Sequence, residues 1–400
     1  GSDVVESDLI ERLKKEGVQI AIGHSSDYVR DSVDLVVYSP AVPKENPERV
    51  SAAKRDIVQM SYPEVLGEIS KTRPTIAITG MHGKSTTTAM LGVLFEHAGL
   101  DPLVVVGTQV PQFEKGNIRL SSSSDAPFIV EACEYRGHMN HLSPQMVIIT
   151  NIEEEHLDFY RDIHHILETF QNFVDRLPED GTLIRVDNDA TLHPLLGKGE
   201  EIHIDSSVID THGIELKVPG EHNRENASCA FAAAREWGVS NEDIRKGLES
   251  YSGIWRRFEV VGSYDDVTIV SDYGHHPTEI RSTLQAARDA YPDKKLLLVF
   301  QPHQYDRTKK LFKDFIIELA KWDGVVVVDV YDVAGREGSR DVGSPNIVAA
   351  LKDLTRVWFG GSVEDSQSVV ERLATDFDVV VVMGAGTVDA VARELLKKAP

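Results

Sequence analysis

The 400-residue sequence has little cysteine and lacks any long apolar run. Its two cysteines, Cys133 and Cys229, share no motif spacing, which argues against a disulfide-stapled secreted domain and favours a reducing compartment. The apolar runs are too short to cross a bilayer, and no apolar signal segment precedes them. We therefore expect a cytoplasmic protein without membrane insertion.

Positive charge is also scarce. The chain carries 42 Lys and Arg against 64 Asp and Glu, a formal net charge of −22. Such a chain repels nucleic acids and anionic membranes, and no basic run compensates locally. We therefore expect small-molecule partners and no nucleic acid, with the protein acting as a monomer or homodimer. Any anionic ligand must be held by a local device such as a glycine-rich loop, a helix N-terminus or a bound cation.

Short apolar runs alternate with helical patterns through most of the chain. Runs rich in β-branched residues that end in polar residues or glycine are typical of buried strands in parallel sheets. The fold class is therefore α/β. The runs are VQIAIGH, DLVVYSP, TIAITG, FIVEA, MVIITN, VTIVSD, KLLLVF, GVVVVDV and DVVVVMG.

The length of the chain suggests three domains. The segments Thr72-Arg73-Pro74 and Gly253-Ile254-Trp255 indicate boundaries that divide it into residues 1–71, 72–254 and 255–400. The first piece opens with a helical pattern from Asp8 to Glu16, followed by a strand. It lacks the leading strand and glycine-rich turn with which a complete Rossmann-like unit begins.

A phosphate-binding loop is the strongest motif in the sequence. The strand TIAITG is followed by Met81-His82-Gly83-Lys84-Ser85 and then by an amphipathic helix. Backbone N–H groups at such a helix start cradle phosphates, the Lys84 ammonium reaches the β- and γ-oxygens, and the Ser85 hydroxyl binds Mg²⁺. The G-x-x-G-K-S spacing is shorter than the general motif, but the strand and helix around it predict an ATP site.

The second half of a Mg²⁺ site should lie at neighbouring strand ends. The run FIVEACE brings Glu131 to one strand end, and MVIITNIEEEH brings His156 to the next. Because Mg²⁺ prefers oxygen ligands, Glu131 is favoured over His156. For Glu154 and Glu155 we prefer the alternative of a solvated helix start, where acidic residues are favourable.

Seven segments occur in an order that resembles the Mur ligase family, and in particular the members that join L-alanine to UDP-N-acetylmuramate. The matching stretches as a whole run from GHSSDYVRDSVDLVVYSPAV to VVVMGAG and so span nearly the whole chain. The pairing of DYGHHPTE with FQPH distinguishes these members from the folylpolyglutamate-type relatives. The segments are TGMHGKSTTTAML, EACEY, ITNIEEEHLDFY, VPGEHNRENA, IWRRFE, SDYGHHPTEI and FQPHQYDRT.

The resemblance implies an architecture and a reaction. Residues 1–71 would form an incomplete Rossmann-like domain for the UDP-substrate, 72–254 a central P-loop ATP-binding domain, and 255–400 a C-terminal Rossmann-like domain for the amino acid. The muramyl carboxylate would attack the γ-phosphorus of ATP to give an acyl phosphate, with Mg²⁺ or Mn²⁺ neutralising charge. The amine of L-alanine would then displace phosphate to form the amide.

Motif matching carries the family's site residues onto this chain. Lys84, His82 and His275 would be catalytic. ATP would contact Gly80, Gly83, Lys84, Ser85, Thr86, His222, Asn223, Asn226, Arg257 and Asp272, and the metal would bind Ser85, Glu131 and His156. The amino acid would bind Tyr273, His275, His303 and Arg307, whereas the UDP-substrate would bind His24, Ser39, Ala41, His82 and Asn151.

Several alternatives stay open at this point. His276 precedes a proline and is equally suited to capping the following helix, and the histidines of DYGHH could bond backbone groups in a tight turn. Gln304 stands where many relatives carry arginine, which leaves Arg307 as the main carboxylate anchor. Since the glycine-rich UDP loop of the family is missing, we expect weaker binding of UDP-N-acetylmuramate. Rival functions are a recycling Mur ligase that adds an intact tripeptide and a non-catalytic nucleotide-binding module.

Overall fold

The computed structural model describes residues 1–154, 159–187, 190–192, 194–332 and 340–398. The strands in these residues are β1 (Ser2–Asp3), β2 (Ala21–Ile22), β3 (Leu35–Tyr38), β4 (Val58–Ser61), β5 (Thr75–Thr79), β6 (Leu103–Val105), β7 (Ile118–Arg119), β8 (Phe128–Glu131), β9 (Met146–Ile149), β10 (Thr182–Val186), β11 (Glu200–Ile204), β12 (Glu259–Tyr264), β13 (Val267–Asp272), β14 (Leu296–Phe300), β15 (Gly324–Val328), β16 (Val357–Gly361) and β17 (Val379–Met383). The helices are α1 (Asp8–Lys15), α2 (Pro47–Lys54), α3 (Tyr62–Ser70), α4 (Lys84–His97), α5 (Ile163–Val174), α6 (Ser207–Thr211), α7 (Glu221–Glu236), α8 (Asn241–Ser250), α9 (Pro277–Ala290), α10 (Tyr305–Lys310), α11 (Phe312–Leu319), α12 (Ser344–Leu351), α13 (Val363–Ala374) and α14 (Asp389–Lys397).

Each of the nine apolar runs contains a strand, and the helical pattern near the N-terminus forms α1. The predicted α/β class with parallel and mixed sheets is therefore confirmed. Strand β1 lies ahead of α1 and pairs in parallel with β2, so the expectation that no strand precedes the first helix is wrong. A strand of two residues is too short to show the alternation of apolar and polar residues from which strands are predicted.

A seven-stranded sheet forms the centre of the molecule, with the strand order β11-β10-β9-β5-β8-β6-β7. All its neighbours pair in parallel except β6 and β7. Every residue of β5 is buried because helices cover both faces of the sheet. The parallel arrangement brings the carboxyl ends of β5, β8 and β9 to one edge, where the phosphate loop begins.

A six-stranded sheet follows, with the order β12-β13-β17-β14-β15-β16. It is parallel apart from the antiparallel edge strand β12. Helices α9 and α11 contribute to the apolar core on one face, and α13 and α14 to the core on the other. Asp272 ends β13, and the segment 301–304 follows β14 at the same edge of the sheet.

The N-terminal residues form two small parallel sheets, β1-β2 and β3-β4. Among the described residues, no helix combines the length and the apolar character needed to cross a lipid bilayer.

Candidate functional site

Two glycines shape the loop between β5 and α4. Gly80 has φ +133° and Gly83 has φ +81°, both in the region that disfavours other residues. A Cβ atom on Gly80 would lie 2.1 Å from the Thr150 hydroxyl oxygen, and one on Gly83 would lie 2.2 Å from Asn226 Oδ1. The loop can therefore approach its neighbours this closely only with glycine at both positions.

Asn151 stabilises the same loop through hydrogen bonds to its backbone. Its Oδ1 accepts a hydrogen bond from the backbone N–H of His82, and its Nδ2 donates to the carbonyl of His82, both at 2.9 Å. The Thr150 hydroxyl also donates to that carbonyl, at 2.5 Å. The side chain of Asn151 thus holds the phosphate loop, whereas its predicted contact with the UDP-substrate stays a prediction.

Lys84 begins α4 and points back over the loop. Its Nζ lies 2.9 Å from a carboxylate oxygen of Glu134 and donates to the carbonyls of Gly80 and Met81 at 2.6 and 3.0 Å. Burial acts to lower the pKa of Lys84, but the nearby carboxylates of Glu134 and Glu131 outweigh it and raise the pKa. Lys84 is therefore a firmly charged cation held over the predicted phosphate-binding turn.

A cavity of about 200 Å³ lies between the phosphate loop and the C-terminal sheet. Both regions line it, and nearly all of the lining side chains are polar or charged, as expected where a few convergent polar groups orient a ligand. Seven of the ten predicted ATP residues line this cavity, and Gly80, Lys84 and Ser85 belong to the adjoining loop and helix start. The seven are Gly83, Thr86, His222, Asn223, Asn226, Arg257 and Asp272.

Asp272 fixes the backbone at the C-terminal side of the cavity. Its two carboxylate oxygens accept hydrogen bonds from the backbone N–H groups of Phe258 and Gly274, at 2.8 and 2.7 Å. Burial raises the pKa of Asp272 above its usual value, although Arg257 opposes this. The carboxylate therefore orders the turn that follows β13 and presents it to the cavity.

His222 at the start of α7 is held in its neutral form. Burial, followed by the positive charge of Arg257, lowers its pKa to about 4. A neutral imidazole can both donate and accept hydrogen bonds, which suits the predicted contact with the adenine base.

We expect His222 to make the protein less stable in mild acid. The unfolded chain takes up a proton as the pH falls below about 6.5, whereas the folded chain does so only near 4, so stability falls between these values. For a partly exposed side chain the loss between pH 7 and pH 5 should be roughly 1 kcal/mol. Urea unfolding at both pH values should show a smaller loss for His222→Asn than for the wild type, and equal losses would contradict the assignment.

His82 lies between two carboxylates from different parts of the chain. Its Nε2 is 2.5 Å from Glu153 Oε1, and its Nδ1 is 3.3 Å from Glu279 Oε1. Burial acts to lower the pKa of His82, but Glu279 and Glu153 outweigh it and raise the pKa to about 10. His82 is therefore an imidazolium that links the phosphate loop to α9.

His276 lies beside this pair, with its ring centroid 5.5 Å from that of His82. Ligand atoms of His82, Glu153 and His276 lie within 4.8 Å of one another, a spacing that could hold a metal ion. We assign no metal to them, because both nitrogens of His82 face carboxylates and His276 Nδ1 accepts from the N–H of Thr278 at the start of α9. The helix-capping role of His276 is thereby confirmed.

A cluster of aromatic and basic side chains lies next to the start of α9. The His275 ring centroid is 5.7 Å from Tyr273 and 5.3 Å from His303, and Arg307 lies 3.0 Å from His303 Nδ1. All four residues predicted for the amino acid are thus together. His275 Nδ1 also lies 3.2 Å from the carbonyl of Tyr273, so the expected backbone contact in this turn is present as well.

The sequence analysis missed Tyr331 in this cluster. Its ring stacks on His303 with centroids 5.6 Å apart and an interplanar angle of 16°. A single parallel bridge joins the backbones of His303 and Tyr331 after β14 and β15. The only available signal was that both residues follow predicted strands of one sheet.

The remaining predicted residues lie in separate places. Glu131 ends β8, where its carboxylate accepts a 2.6 Å hydrogen bond from the N–H of Gly107, and His156 lies outside the described residues. In the N-terminal piece, His24 Nδ1 is 3.1 Å from Glu48 Oε1, and the Ser39 hydroxyl accepts from the N–H of Ala41. His24, Ser39 and Ala41 do not line the cavity beside the phosphate loop.

A glycine loop with a buried lysine that faces a second α/β sheet across a polar cavity is the arrangement expected of a nucleotide-dependent enzyme. Three family models match the chain: Mur ligase family, catalytic domain, over residues 1–74; Mur ligase middle domain over 78–202; and Mur ligase, glutamate ligase domain, over 256–386. The chain belongs to the Mur ligase family, whose members are ATP-dependent ligases.

Individual members of the family are similar to this chain over nearly its whole length. The chain is 36% identical over 429 residues to the UDP-N-acetylmuramate–L-alanine ligase of Alkaliphilus metalliredigens, covering 99% of this chain and 91% of that protein. It is 37% identical to the ligase of the same name from Hydrogenovibrio crunogenus, covering 100% and 93%. The crystal structure of the UDP-N-acetylmuramate–alanine ligase from Thermotoga maritima matches with a TM-score of 0.81 at 25% identity, covering 100% and 92%. A murein peptide ligase from Psychrobacter arcticus shares the fold, with a TM-score of 0.69 at 23% identity and coverage of 99% and 92%.

Proposed function

We propose that the protein joins L-alanine to UDP-N-acetylmuramate at the expense of ATP, as an early step in building the peptidoglycan precursor. One observation carries the proposal beyond the family. The start of α9 contributes to two neighbouring groups of residues: Thr278 and Glu279 line the cavity beside the phosphate loop, and His275 belongs to the cluster with His303 and Arg307, so that a nucleotide and an amino acid would be held next to each other. The names of the relatives supply the two substrates.

The reaction would proceed in two transfers. A carboxylate oxygen of the muramyl group attacks the γ-phosphorus of ATP in line, the bond to ADP breaks, and an acyl phosphate forms. The amine of L-alanine then attacks the carbonyl carbon, loses a proton and expels phosphate, which leaves an amide. The step through an acyl phosphate is needed because a free carboxylate has no leaving group that an amine could displace.

The side chains divide this work by charge. Lys84 and Arg257 are cations beside the cavity and would balance the negative charge that moves between the γ-phosphate and ADP. Arg307 offers a guanidinium to the carboxylate of the amino acid, the kind of charged partner such a group needs. His222, Asn223 and Asn226 offer neutral polar groups at the start of α7 that suit a nucleobase.

We propose Ser85 and Glu131 as the ligands of a magnesium ion. Ser85 is the second residue of α4, and Glu131 ends β8, the strand that pairs with β5. Both side chains offer the oxygen ligands that Mg²⁺ prefers. Bound there, Mg²⁺ or Mn²⁺ would neutralise phosphate charge during transfer. We propose the cytoplasm, where both cysteines would stay reduced, as the site of action.

Phosphate release from ATP tests the proposal. We expect release only when UDP-N-acetylmuramate and an amino acid are both present, with L-alanine preferred over glycine, L-serine and the tripeptide. A preference for the tripeptide would indicate the recycling ligase instead. ATP binding without any substrate-dependent release would indicate the non-catalytic module.

A further inference from the structure

Glu279 is a buried carboxylate for which neither the motif comparison nor the proposed reaction provides a role. It lies in the first turn of α9 and is 8% exposed. One of its oxygens, Oε2, accepts hydrogen bonds from the backbone N–H groups of His275 and His276, at 2.8 and 3.1 Å. This is the capping box that starts α9, and it accounts for only half of the carboxylate.

The second oxygen faces two cations from outside the helix. Glu279 Oε1 lies 3.0 Å from an Arg257 guanidinium nitrogen and 3.3 Å from His82 Nδ1. Arg257 belongs to the segment that joins the central and C-terminal sheets, and His82 belongs to the phosphate loop. A single side chain therefore contacts the ATP loop, an ATP-facing arginine and the turn that carries His275.

The charges along this line alternate. Arg257, Glu279, His82 and Glu153 form a row of two cations and two anions, and His276 and Thr278 contact its end at Glu153. Burial acts against the charged form of Glu279, but His275, His82 and Arg257 outweigh it and hold its pKa well below the usual value. Removing one charge from such a buried row leaves its neighbour uncompensated, which is costly.

We propose that Glu279 is a positioning residue that couples the ATP half of the site to the amino-acid half. The proposal deepens the ligase function proposed above and rests on it. Glu279 lines the cavity, but its negative charge would repel a bound triphosphate. Glu279 therefore acts through Arg257 and His82, the cations that it contacts. Arg257 and His82 keep their orientation towards the cavity only while α9 is docked, and the same contact fixes the backbone of His275.

Glu279→Gln isolates this role, because glutamine also completes a capping box while the charge is lost. We expect kcat to fall on the order of 100-fold and the KM for ATP to rise, together with a lower melting temperature, because Arg257 and His82 lose the anion that they share. The matched control is Glu64→Gln, since Glu64 completes the capping box of α3 with Ser61 in the N-terminal piece. That variant should keep wild-type kinetics. A Glu279→Gln enzyme that folds normally and has wild-type kcat and KM would overturn the proposal.

Two further measurements separate positioning from a purely structural effect. With Glu279 neutral, His82 keeps only Glu153, so the alkaline limb of the activity profile should move to lower pH by at least one unit. The double variant His82→Gln/Glu279→Gln should lose little more activity than Glu279→Gln alone, because both act through one contact. An unmoved limb or fully additive losses would contradict the coupling.

The proposal can fail independently of the ligase function. ATP affinity by calorimetry and the titration of His82 by ¹⁵N-histidine NMR need neither L-alanine nor UDP-N-acetylmuramate. If the wild type uses other substrates, the proposed function fails, but a weaker ATP affinity and a lowered pKa of His82 in Glu279→Gln would still support the positioning role. Unchanged values of both would reject it even in an active ligase.

Discussion

Lys84→Met is expected to abolish ATP-dependent phosphate release, with kcat/KM falling on the order of 10³-fold. The Lys84 ammonium donates to the carbonyls of Gly80 and Met81, and its positive charge is secured by Glu134. Without it, the negative charge that builds up between the γ-phosphate and ADP loses a buried cation beside the predicted ATP site. Steady-state phosphate release and ATP calorimetry measure the loss.

Two controls guard this result against misfolding. Lys84→Met leaves the buried Glu134 without its cation, which is destabilising by itself. The double variant Lys84→Met/Glu134→Gln no longer contains this uncompensated carboxylate. It should recover thermal stability and remain inactive. Lys71→Met removes an exposed lysine paired with Glu68 and should leave activity unchanged. Recovery of activity in the double variant would show that Lys84 has only a structural role.

Gly83→Ala is expected to remove ATP binding and to destabilise the central domain. The new Cβ would meet Asn226 Oδ1 at 2.2 Å while φ stays at +81°, so either the loop or α7 must move. Asn226 also accepts a 3.2 Å hydrogen bond from Thr87, which limits how far its side chain can retreat. We expect at least a 100-fold loss of ATP affinity by calorimetry and a clear drop in melting temperature.

Gly99→Ala is the matched control for backbone strain. Gly99 follows the other end of α4 with φ +76°, and an added Cβ would meet nothing within 4 Å. It should therefore cost only the strain of a left-handed alanine, about 1 kcal/mol, and leave ATP affinity intact. Equal effects of the two substitutions would show that strain, and not the contact with Asn226, governs the loop.

The sequence predicted most of the sheet framework because buried parallel strands are continuous runs of β-branched residues. It also located the phosphate loop, since the glycine spacing and the lysine are local features. The domain boundaries near residues 72 and 255 and the individual ligand contacts stay predictions. Local patterns carry no information on which strand ends meet across two sheets.

Contacts between distant segments escaped prediction for this physical reason. His82 belonged to a recognisable loop, but its two carboxylate partners come from the segment that follows β9 and from α9, more than sixty residues away in each case. Glu279 occurred within a recognisable motif, but its position in the first turn of a helix predicts only a capping role. The contact of its second oxygen with Arg257 could not be predicted from the motif. The contact between Tyr331 and His303 depends on a backbone bridge between the segments that follow β14 and β15, which the sequence does not show.

Transfer of oxygen tests the acyl-phosphate reaction most directly. UDP-N-acetylmuramate labelled with ¹⁸O in both carboxylate oxygens is converted with ATP and L-alanine, and the released phosphate is analysed by mass spectrometry. We predict one ¹⁸O atom in each phosphate, because the attacking carboxylate oxygen leaves with phosphorus, and the second in the new amide. Unlabelled phosphate formed together with the amide would contradict this account of the site.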